Sequence, residues 1–257
     1  MKQVVRLLLL LGLAAAVAWP ACGLAQSARM TPATLSREQA AAERVTPGLR
    51  RDLAAMGLSL GDPIFIRIFK HEHQLEVWMR NQRRYALFRQ YPICTWSGAL
   101  GPKLRQGDGQ SPEGFYSVGR GQLNPQSSYH LSFNLGYPNA YDRAHGRSGN
   151  YLMVHGHCVS IGCYAMGDAN IEQIYTLLDA ALRGGQRRVD VHVFPFRFDK
   201  PAMADWQTQR WGDFWGNLKQ GHDAFERTKV PPAVNVANLR YRIMERAATA
   251  SVAAPVR

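Results

Sequence analysis

The chain has 257 residues, of which 46% are hydrophobic and 19% are charged. This balance is typical of a globular protein and excludes a mostly disordered chain. Beyond the N-terminus no apolar run approaches the roughly 20 residues that span a bilayer, which excludes a multi-pass membrane protein. The 31 Lys and Arg residues against 19 Asp and Glu give a net charge of +12. That charge favours an anionic partner, namely nucleic acid, acidic lipid or an anionic wall polymer, and solubility alone explains it equally well. Without a nucleic-acid-binding motif, we expect no nucleic-acid partner.

The N-terminal segment 1–26 has the features of an export signal. Two basic residues precede an apolar stretch at 7–17 that is too short to span a membrane, and residues 23–25 supply small side chains for cleavage. We therefore predict a periplasmic protein with no transmembrane domain in the mature chain. Lipid attachment at Cys22 or an uncleaved anchor is the alternative.

The remaining chain divides into three predicted regions. Residues 27–60 form a helical lead-in with helical runs at 35–45 and 47–56, residues 61–196 form a central, mostly β domain, and residues 197–257 form a helical, aromatic C-terminal extension and tail. Alternating and apolar patterns predict seven β runs, at 64–69, 74–79, 85–94, 115–118, 151–154, 189–194 and 233–243. Helical spacing predicts a helix over 169–183. The segment 201–227 is helical in character, and its aromatic side chains are expected in the core. The fold class is thus mainly β with helices, an α+β arrangement.

Three cysteines follow the predicted signal, namely Cys94, Cys158 and Cys163. An odd number in an oxidising compartment leaves at least one thiol free or paired between molecules. A bridge from Cys94 to Cys158 would leave Cys163 free, whereas a bridge from Cys158 to Cys163 would silence that thiol or place it under redox control. Both pairings remain open from the sequence.

The segment 155–163 concentrates the chemistry-bearing residues. His155 ends a short apolar strand, and Cys163 follows eight residues later. A cysteine nucleophile needs a nearby base such as histidine, and backbone N–H groups at Gly162 and Cys163 could stabilise an oxyanion. A zinc site built on His155, His157 and the two cysteines of this segment is the rival interpretation, although four ligands within nine residues are cramped. We expect no metal and no cofactor.

The order His-Gly followed by Ser-x-Gly-Cys resembles the catalytic motif of the L,D-transpeptidase (YkuD) family, and within it the YafK branch. The resemblance covers about residues 60–236 and is carried by the stretches 97–103, 107–116, 134–146, 162–166, 194–197, 213–215 and 225–232. It implies a β-sandwich catalytic domain with helical additions at both ends, Cys163 as nucleophile and His155 as general base. The attacked group would be the carbonyl at the L-centre of meso-diaminopimelate in a peptidoglycan stem peptide, through a thioester acyl-enzyme.

The departures from the family motif favour hydrolysis over cross-linking. Ile161 stands where the family usually has His, Ala165 stands where an Arg is usual, and the spacing from base to nucleophile is about half the usual one. The resembled branch includes an amidase that releases a wall-anchored outer-membrane lipoprotein, so hydrolysis with that partner is the first expectation. An L,D-transpeptidase that forms cross-links or exchanges stem residues, and a non-catalytic peptidoglycan-binding protein, are the alternatives.

Further residues are assigned supporting positions. Ser160 and Gly156 are expected to support the catalytic loop, and Tyr137, Asp142 and Arg143 are expected to line the substrate groove. A turn serine at Ser160 and a fixed ion pair of Asp142 with Arg143 are the structural alternatives.

Overall fold

The protein is described here by a computed structural model that covers residues 35–200 and 204–246. The predicted export signal 1–26 with Cys22, the first part of the lead-in and the tail from residue 247 lie outside the described residues. The helices are α1 (Arg37–Ala54), α2 (Ala140–Ala144), α3 (Asp168–Arg183) and α4 (Gly212–Thr228). The strands are β1 (Ile64–Phe69), β2 (Gln74–Asn81), β3 (Arg84–Pro92), β4 (Thr95–Trp96), β5 (Gly114–Val118), β6 (Leu123–Asn124), β7 (Ser132–Asn134), β8 (Met153–His155), β9 (Tyr164–Ala165), β10 (Val189–Phe194), β11 (Ala233–Ala237) and β12 (Arg240–Met244).

The first sheet has the strand order β3-β2-β1-β10-β5. Its central strands β1 and β10 run parallel, with Ile66 opposite Val191, and the other pairs are antiparallel. Successive side chains of a strand point to opposite faces. In β1, Ile66 and its even-numbered neighbours therefore face one core, while Phe65 and Phe69 pack on the other side against aromatic side chains. Every residue of β1 is buried because the sheet is covered on both faces.

The second sheet has the order β4-β9-β8-β7-β6 and consists of strands of two or three residues. Its buried side chains Phe133, Val154 and Tyr164 belong to the same core as the even-numbered residues of β1. The two sheets thus share one hydrophobic core, to which α1 and α3 also contribute. The mixed α+β fold predicted from the sequence is confirmed.

Three local predictions differ from the structure. The two helical runs expected at 35–45 and 47–56 are one helix, α1, with Pro47 inside it. The β run expected over 233–243 is a hairpin, because Asn238 and Leu239 adopt positive φ and turn the chain between β11 and β12. The helix expected within 201–227 begins only at Gly212 and packs against this hairpin.

Candidate active site

The predicted base and nucleophile lie on two neighbouring strands of the second sheet. Strand β8 ends at His155, β9 begins directly after Cys163, and the two strands pair in parallel with Val154 opposite Tyr164. The backbone N–H of Met153 donates to Cys163 Sγ over 3.4 Å. His155 and Cys163 line one cavity of about 470 Å³. The parallel pairing is therefore what places the two side chains in the same cavity.

The imidazole of His155 is buried, with 2% of the residue exposed. Its Nδ1 lies 2.6 Å from the carbonyl oxygen of Gly156, and a carbonyl only accepts, so Nδ1 carries the proton and Nε2 keeps its lone pair. Burial lowers the pKa of His155, while the hydrogen bond to Gly156 opposes that shift. The ring of Tyr129 lies 4.8 Å from the imidazole, centroid to centroid, and restricts its position. The orienting group of the histidine is thus a backbone carbonyl.

The thiol of Cys163 is partly exposed and is the free cysteine among the described residues. Burial raises the pKa of the Cys163 thiol, whereas the Met153 N–H and the charge of Lys103 act in the opposite direction. The Sγ atom lies 3.8 Å from the carbonyl oxygen of Tyr151. Both directions favour the neutral forms, namely a protonated Cys163 thiol and an uncharged His155 imidazole.

Ser160 organises the loop that carries the thiol. Its Oγ accepts from the N–H groups of Gly162 (3.2 Å) and Cys163 (3.1 Å) and lies 2.8 Å from the carbonyl oxygen of Cys163, to which it donates. The two N–H groups that the sequence suggested as oxyanion donors are therefore already engaged by the serine hydroxyl in this conformation. The expectation that these N–H groups are free to stabilise an oxyanion is therefore not met in this conformation. Ser160 lies three residues before Cys163, and its hydroxyl bonds to both amides within a tight turn.

A disulfide fixes the outer part of the same loop. Cys94 and Cys158 are bonded to each other, with a Cα–Cα distance of 5.4 Å. The structure thus selects the pairing that leaves Cys163 unbridged.

Two glycines of the loop occupy positions where a side chain would not fit. Gly162 has φ +140°, a conformation that favours glycine, and a side chain there would meet Leu152. Gly156 is equally constrained, since a Cβ at that position would lie 2.6 Å from the carboxylate of Asp168.

A buried ion pair supports the loop from below. Lys70 Nζ lies 3.1 Å from Glu113 Oε1, and both side chains are fully buried. Lys70 also donates to the Ser111 carbonyl (3.0 Å), while Ser111 Oγ donates to the Cys163 carbonyl (2.9 Å). Trp215 of α4 donates its indole N–H to Glu113 Oε2 over 2.8 Å. Helix α4 is therefore linked to the nucleophile through a continuous set of buried polar contacts.

Three residues of the site were not predicted from the sequence, namely Lys103, Ser111 and Tyr129. Lys103 and Tyr129 line the cavity of Cys163, and Lys103 forms an ion pair with Asp108. Lys103 and Ser111 fall inside the stretches 97–103 and 107–116 that carry the family resemblance, which was the available signal. Tyr129 gave no signal, since a tyrosine in a loop has no distinctive spacing.

None of the three residues expected in the substrate groove lines the cavity of the thiol. Asp142 is fully buried, accepts from Arg147 (2.9 Å) and from the hydroxyl of Tyr116 (3.2 Å), and caps α2. It is thus a structural ion-pair residue whose partner is Arg147 rather than Arg143, and the groove expectation for it was wrong. Tyr137 and Arg143 line a second cavity and not the one that contains the thiol.

The zinc interpretation loses a ligand in this structure. The sulfur of Cys158 is bonded to Cys94 and is no longer a thiolate. Within residues 35–200 and 204–246, no group of three or more His, Cys, Asp or Glu side chains is arranged to hold a metal ion.

Comparison with known proteins places this site in a family. The model of the L,D-transpeptidase catalytic domain (YkuD) matches residues 63–221. The chain belongs to the L,D-transpeptidase (YkuD) family. It is 50% identical over 182 residues to YafK of Escherichia coli (strain K12), whose name gives it as an unconfirmed L,D-transpeptidase, covering 71% of this chain and 74% of that protein. The resemblance to this family and to its YafK branch is confirmed.

Solved structures of more distant proteins also align. The helical cell shape determining protein Pgp2 of Campylobacter jejuni aligns with a TM-score of 0.42 and 17% identity, over 74% of this chain and 80% of that chain. Its K307A mutant aligns with a TM-score of 0.43 and 20% identity, over 74% of this chain and 64% of that chain, which is less than two thirds of its length. L,D-transpeptidase 1 of Mycobacterium tuberculosis gives a TM-score of 0.30 and 15% identity, over 51% and 62% of the two chains.

None of the helices in the described part of the chain combines the length and the apolar character that crossing a bilayer requires.

Proposed function

We propose that this member of the L,D-transpeptidase family is a periplasmic cysteine hydrolase of peptidoglycan. It would cleave the amide bond formed by the carbonyl at the L-centre of meso-diaminopimelate. The observation that carries the proposal is that Cys163, the unbridged thiol of the described chain, and the oriented imidazole of His155 line one cavity. The Cys94–Cys158 bridge supports an oxidising compartment, as the predicted export signal does.

The neutral resting pair defines the first chemical step. As Cys163 Sγ attacks the carbonyl carbon, His155 Nε2 takes the thiol proton, so sulfur never has to exist as a free thiolate. The imidazolium then gives that proton to the departing amine as the C–N bond breaks, which leaves a thioester. In the second step His155 takes a proton from water, the hydroxide attacks the thioester, and the sulfur leaves and is reprotonated.

The Gly156 carbonyl has a definite role in this mechanism. It holds Nδ1–H and thereby keeps the Nε2 lone pair available to the thiol, and it stabilises the imidazolium that forms transiently. Burial of His155 disfavours that cation at rest, so the base stays neutral and competent near pH 7.

Water is favoured as the second substrate. Ile161, which replaces the usual family histidine, is 90% exposed and lines the cavity of the thiol. An apolar side chain there supplies no hydrogen-bond acceptor to orient an incoming amine. Ala165, in the place of the usual arginine, is buried in β9 and offers no charge to the cavity. The favoured product is therefore a free carboxylate rather than a new cross-link.

The leaving partner that we propose is a wall-anchored outer-membrane lipoprotein. The support is the similarity to the YafK branch, which extends over 182 residues at 50% identity. The net charge of +12 is compatible with binding to an anionic wall polymer.

Mass spectrometry of products from lipoprotein-bearing sacculi tests the proposal. Wild type and Cys163→Ala are incubated with the same sacculi, and released lipoprotein and stem peptides are quantified. Release by wild type alone is the expected result. Cross-linked or exchanged stems from wild type alone would make the protein a transpeptidase instead. Unchanged sacculus binding by both proteins, without any turnover, would make it a peptidoglycan-binding protein.

A further inference from the structure

A second and larger cavity of about 880 Å³ adjoins the cavity of the thiol. The two cavities share the lining residues Asn150 and Tyr151. Three arginines line the second cavity, namely Arg143, Arg188 and Arg246, and it is called the arginine groove below. Its volume lies within the range of about 300–1,000 Å³ that is usual for ligand clefts.

The arginine groove depends on a part of the chain beyond the matched family domain. The family model ends at residue 221, whereas one wall is formed by the C-terminal hairpin and the residue that follows it. Val234, Tyr241 and Arg246 are among these wall residues. Residues of β5 and β10 of the first sheet also line the groove. The groove is therefore a product of the hairpin packing on the catalytic domain.

The charges of the groove are unbalanced. Arg188 donates to Ser117 Oγ (2.8 Å) and to Gln122 Oε1 (2.9 Å), which are both neutral acceptors. Arg143 is exposed and donates to the carbonyl of Pro138. Among the lining residues the structure describes, only Asp190 carries a carboxylate, and it lies 3.7 Å from Arg246. Because three guanidinium groups and one carboxylate leave the lining with excess positive charge, the groove favours an anionic ligand. Guanidinium groups bind carboxylates well through paired hydrogen bonds.

The groove is also suited to a peptide. The exposed side chains of Asn150 and Asn235 lie in its lining and can bond to amide groups. Tyr137 and Phe115 contribute aromatic surface to the walls. The groove therefore offers guanidinium groups for carboxylates and side-chain amides for peptide groups. This combination fits an extended chain that carries both amides and carboxylates better than it fits a single inorganic anion.

Tyr151 connects the groove to the chemistry. Its carbonyl oxygen lies 3.8 Å from Cys163 Sγ, and the residue is 73% exposed between the two cavities. A chain held at the thiol and running past Tyr151 therefore enters the arginine groove within a few residues. The anionic groups that the groove binds must then lie close to the attacked carbonyl along the ligand.

We propose that the arginine groove binds the free carboxylates of the peptidoglycan stem peptide that is attacked by Cys163. This inference rests on the proposed function. In a stem, diaminopimelate retains a second carboxylate and the preceding γ-linked glutamate retains its α-carboxylate, so both anions lie next to the attacked carbonyl. A stem supplies these anions whatever group leaves, which favours the stem over the released protein as the ligand.

Binding of a defined stem peptide tests the inference in the Cys163→Ala background, where turnover does not interfere. The probe is a disaccharide tripeptide with free carboxylates. It is compared with the same molecule amidated at glutamate and at the diaminopimelate carboxylate that does not belong to the attacked L-centre. In calorimetry at low salt, Arg143→Gln/Arg188→Gln should weaken binding of the free acid about tenfold. The amidated probe should bind weakly to both proteins.

Controls separate a lost charge from a lost fold. Arg50→Gln on α1 removes an exposed arginine outside the groove and should leave the affinity unchanged. Arg143→Gln alone, which removes one contact to a carbonyl, should show part of the loss with an unchanged Tm. Arg143→Lys/Arg188→Lys should recover part of the affinity, because the charge returns without the bidentate geometry.

Two results would overturn the inference. The first is equal binding of free-acid and amidated probes, or equal binding by the arginine variants. The second is arginine-dependent binding of an acidic polypeptide from a wall-linked protein without any binding of the stem. Failure of the proposed function is distinguishable, because it appears as absent turnover by wild type while carboxylate-dependent binding persists.

Discussion

The two sheets of this protein are stabilised in different ways. The first sheet has strands of five to nine residues, and its central strand β1 is buried on both faces. The second sheet has strands of two or three residues and carries the predicted nucleophile and base. Short strands form few ladder hydrogen bonds, so side chains and a covalent bond must fix the second sheet and its loops.

The buried polar groups of the two regions reflect this difference. In the first sheet, Arg67 and Glu76 form an ion pair of 2.9 Å with 1% of each side chain exposed. Around the second sheet, the hydroxyls of Ser111 and Ser160 and the Cys94–Cys158 bridge position the loop of Cys163. We infer that damage to the first region lowers stability and leaves turnover per folded molecule unchanged, whereas damage to the second also lowers turnover in a protein that still folds.

Arg67→Met gives the largest expected effect. Arg67 donates to Glu76 (2.9 Å) and to Glu226 (2.7 Å). Its loss therefore leaves the buried carboxylate of Glu76 with fewer hydrogen-bond donors. The free energy of unfolding should fall by about 3–5 kcal/mol, as for other broken buried pairs. Urea unfolding measures the loss, and turnover per folded molecule should stay within twofold of wild type. Arg84→Met, on the exposed face of β3, is the matched control and should change stability by less than about 0.5 kcal/mol. A large loss of turnover in folded Arg67→Met would contradict the inference that damage to the first sheet lowers stability and not turnover.

Removal of the disulfide by Cys94→Ala/Cys158→Ala is next in size. The bridge joins positions 64 residues apart, and its loss should lower stability by about 2–4 kcal/mol. Because Cys158 lies in the loop that leads to Cys163, kcat should fall as well, unlike in Arg67→Met. Thermal unfolding and turnover below the Tm measure the two effects. Unchanged kcat in the folded variant would show that the loop needs no covalent anchor.

Ser160→Ala should act on turnover more than on stability. The variant loses the acceptor for the amides of Gly162 and Cys163, and each such hydrogen bond contributes about 1 kcal/mol. We expect kcat to fall about tenfold, whereas Tm should fall by only a few degrees. Ser97→Ala removes only the 3.2 Å contact between Ser97 Oγ and Ser160 Oγ and should lower kcat less. Equal effects of the two variants would argue against the positioning role of Ser160.

The pH profile gives the smallest effect. His155 is active when it is deprotonated, and burial lowers its pKa, so activity should persist to a lower pH than for an exposed imidazole. The acid limb of kcat/KM should therefore have its midpoint below about 6.5. Steady-state rates between pH 4 and 8 measure it, with circular dichroism to confirm folding throughout. A midpoint above the ordinary histidine value would mean that a nearby negative charge dominates instead of burial.

The sequence predicted the site motif better than the groove around it. The spacing of His155 and Cys163 at a strand end was sufficient to nominate both residues, and the structure brings them into one cavity. Asp142 illustrates the limit, because a charged residue near a motif looks the same whether it faces substrate or a buried partner. Only the tertiary structure around α2 shows that the partner of Asp142 is Arg147.

Local patterns determined the strands of the first sheet, the three long helices and the candidate nucleophile, since alternation, helical spacing and cysteine number are properties of neighbouring residues. The two- and three-residue strands β4, β6, β7 and β9 and the short helix α2 are too short to give such a pattern. Only the tertiary structure decided which cysteine pairs with Cys94, that the carbonyl of Gly156 orients His155, and that β1 pairs in parallel with β10. It also brought the C-terminal hairpin against the catalytic domain to form the arginine groove. These contacts join residues far apart in sequence or depend on the exact path of the backbone, which residue spacing alone does not encode.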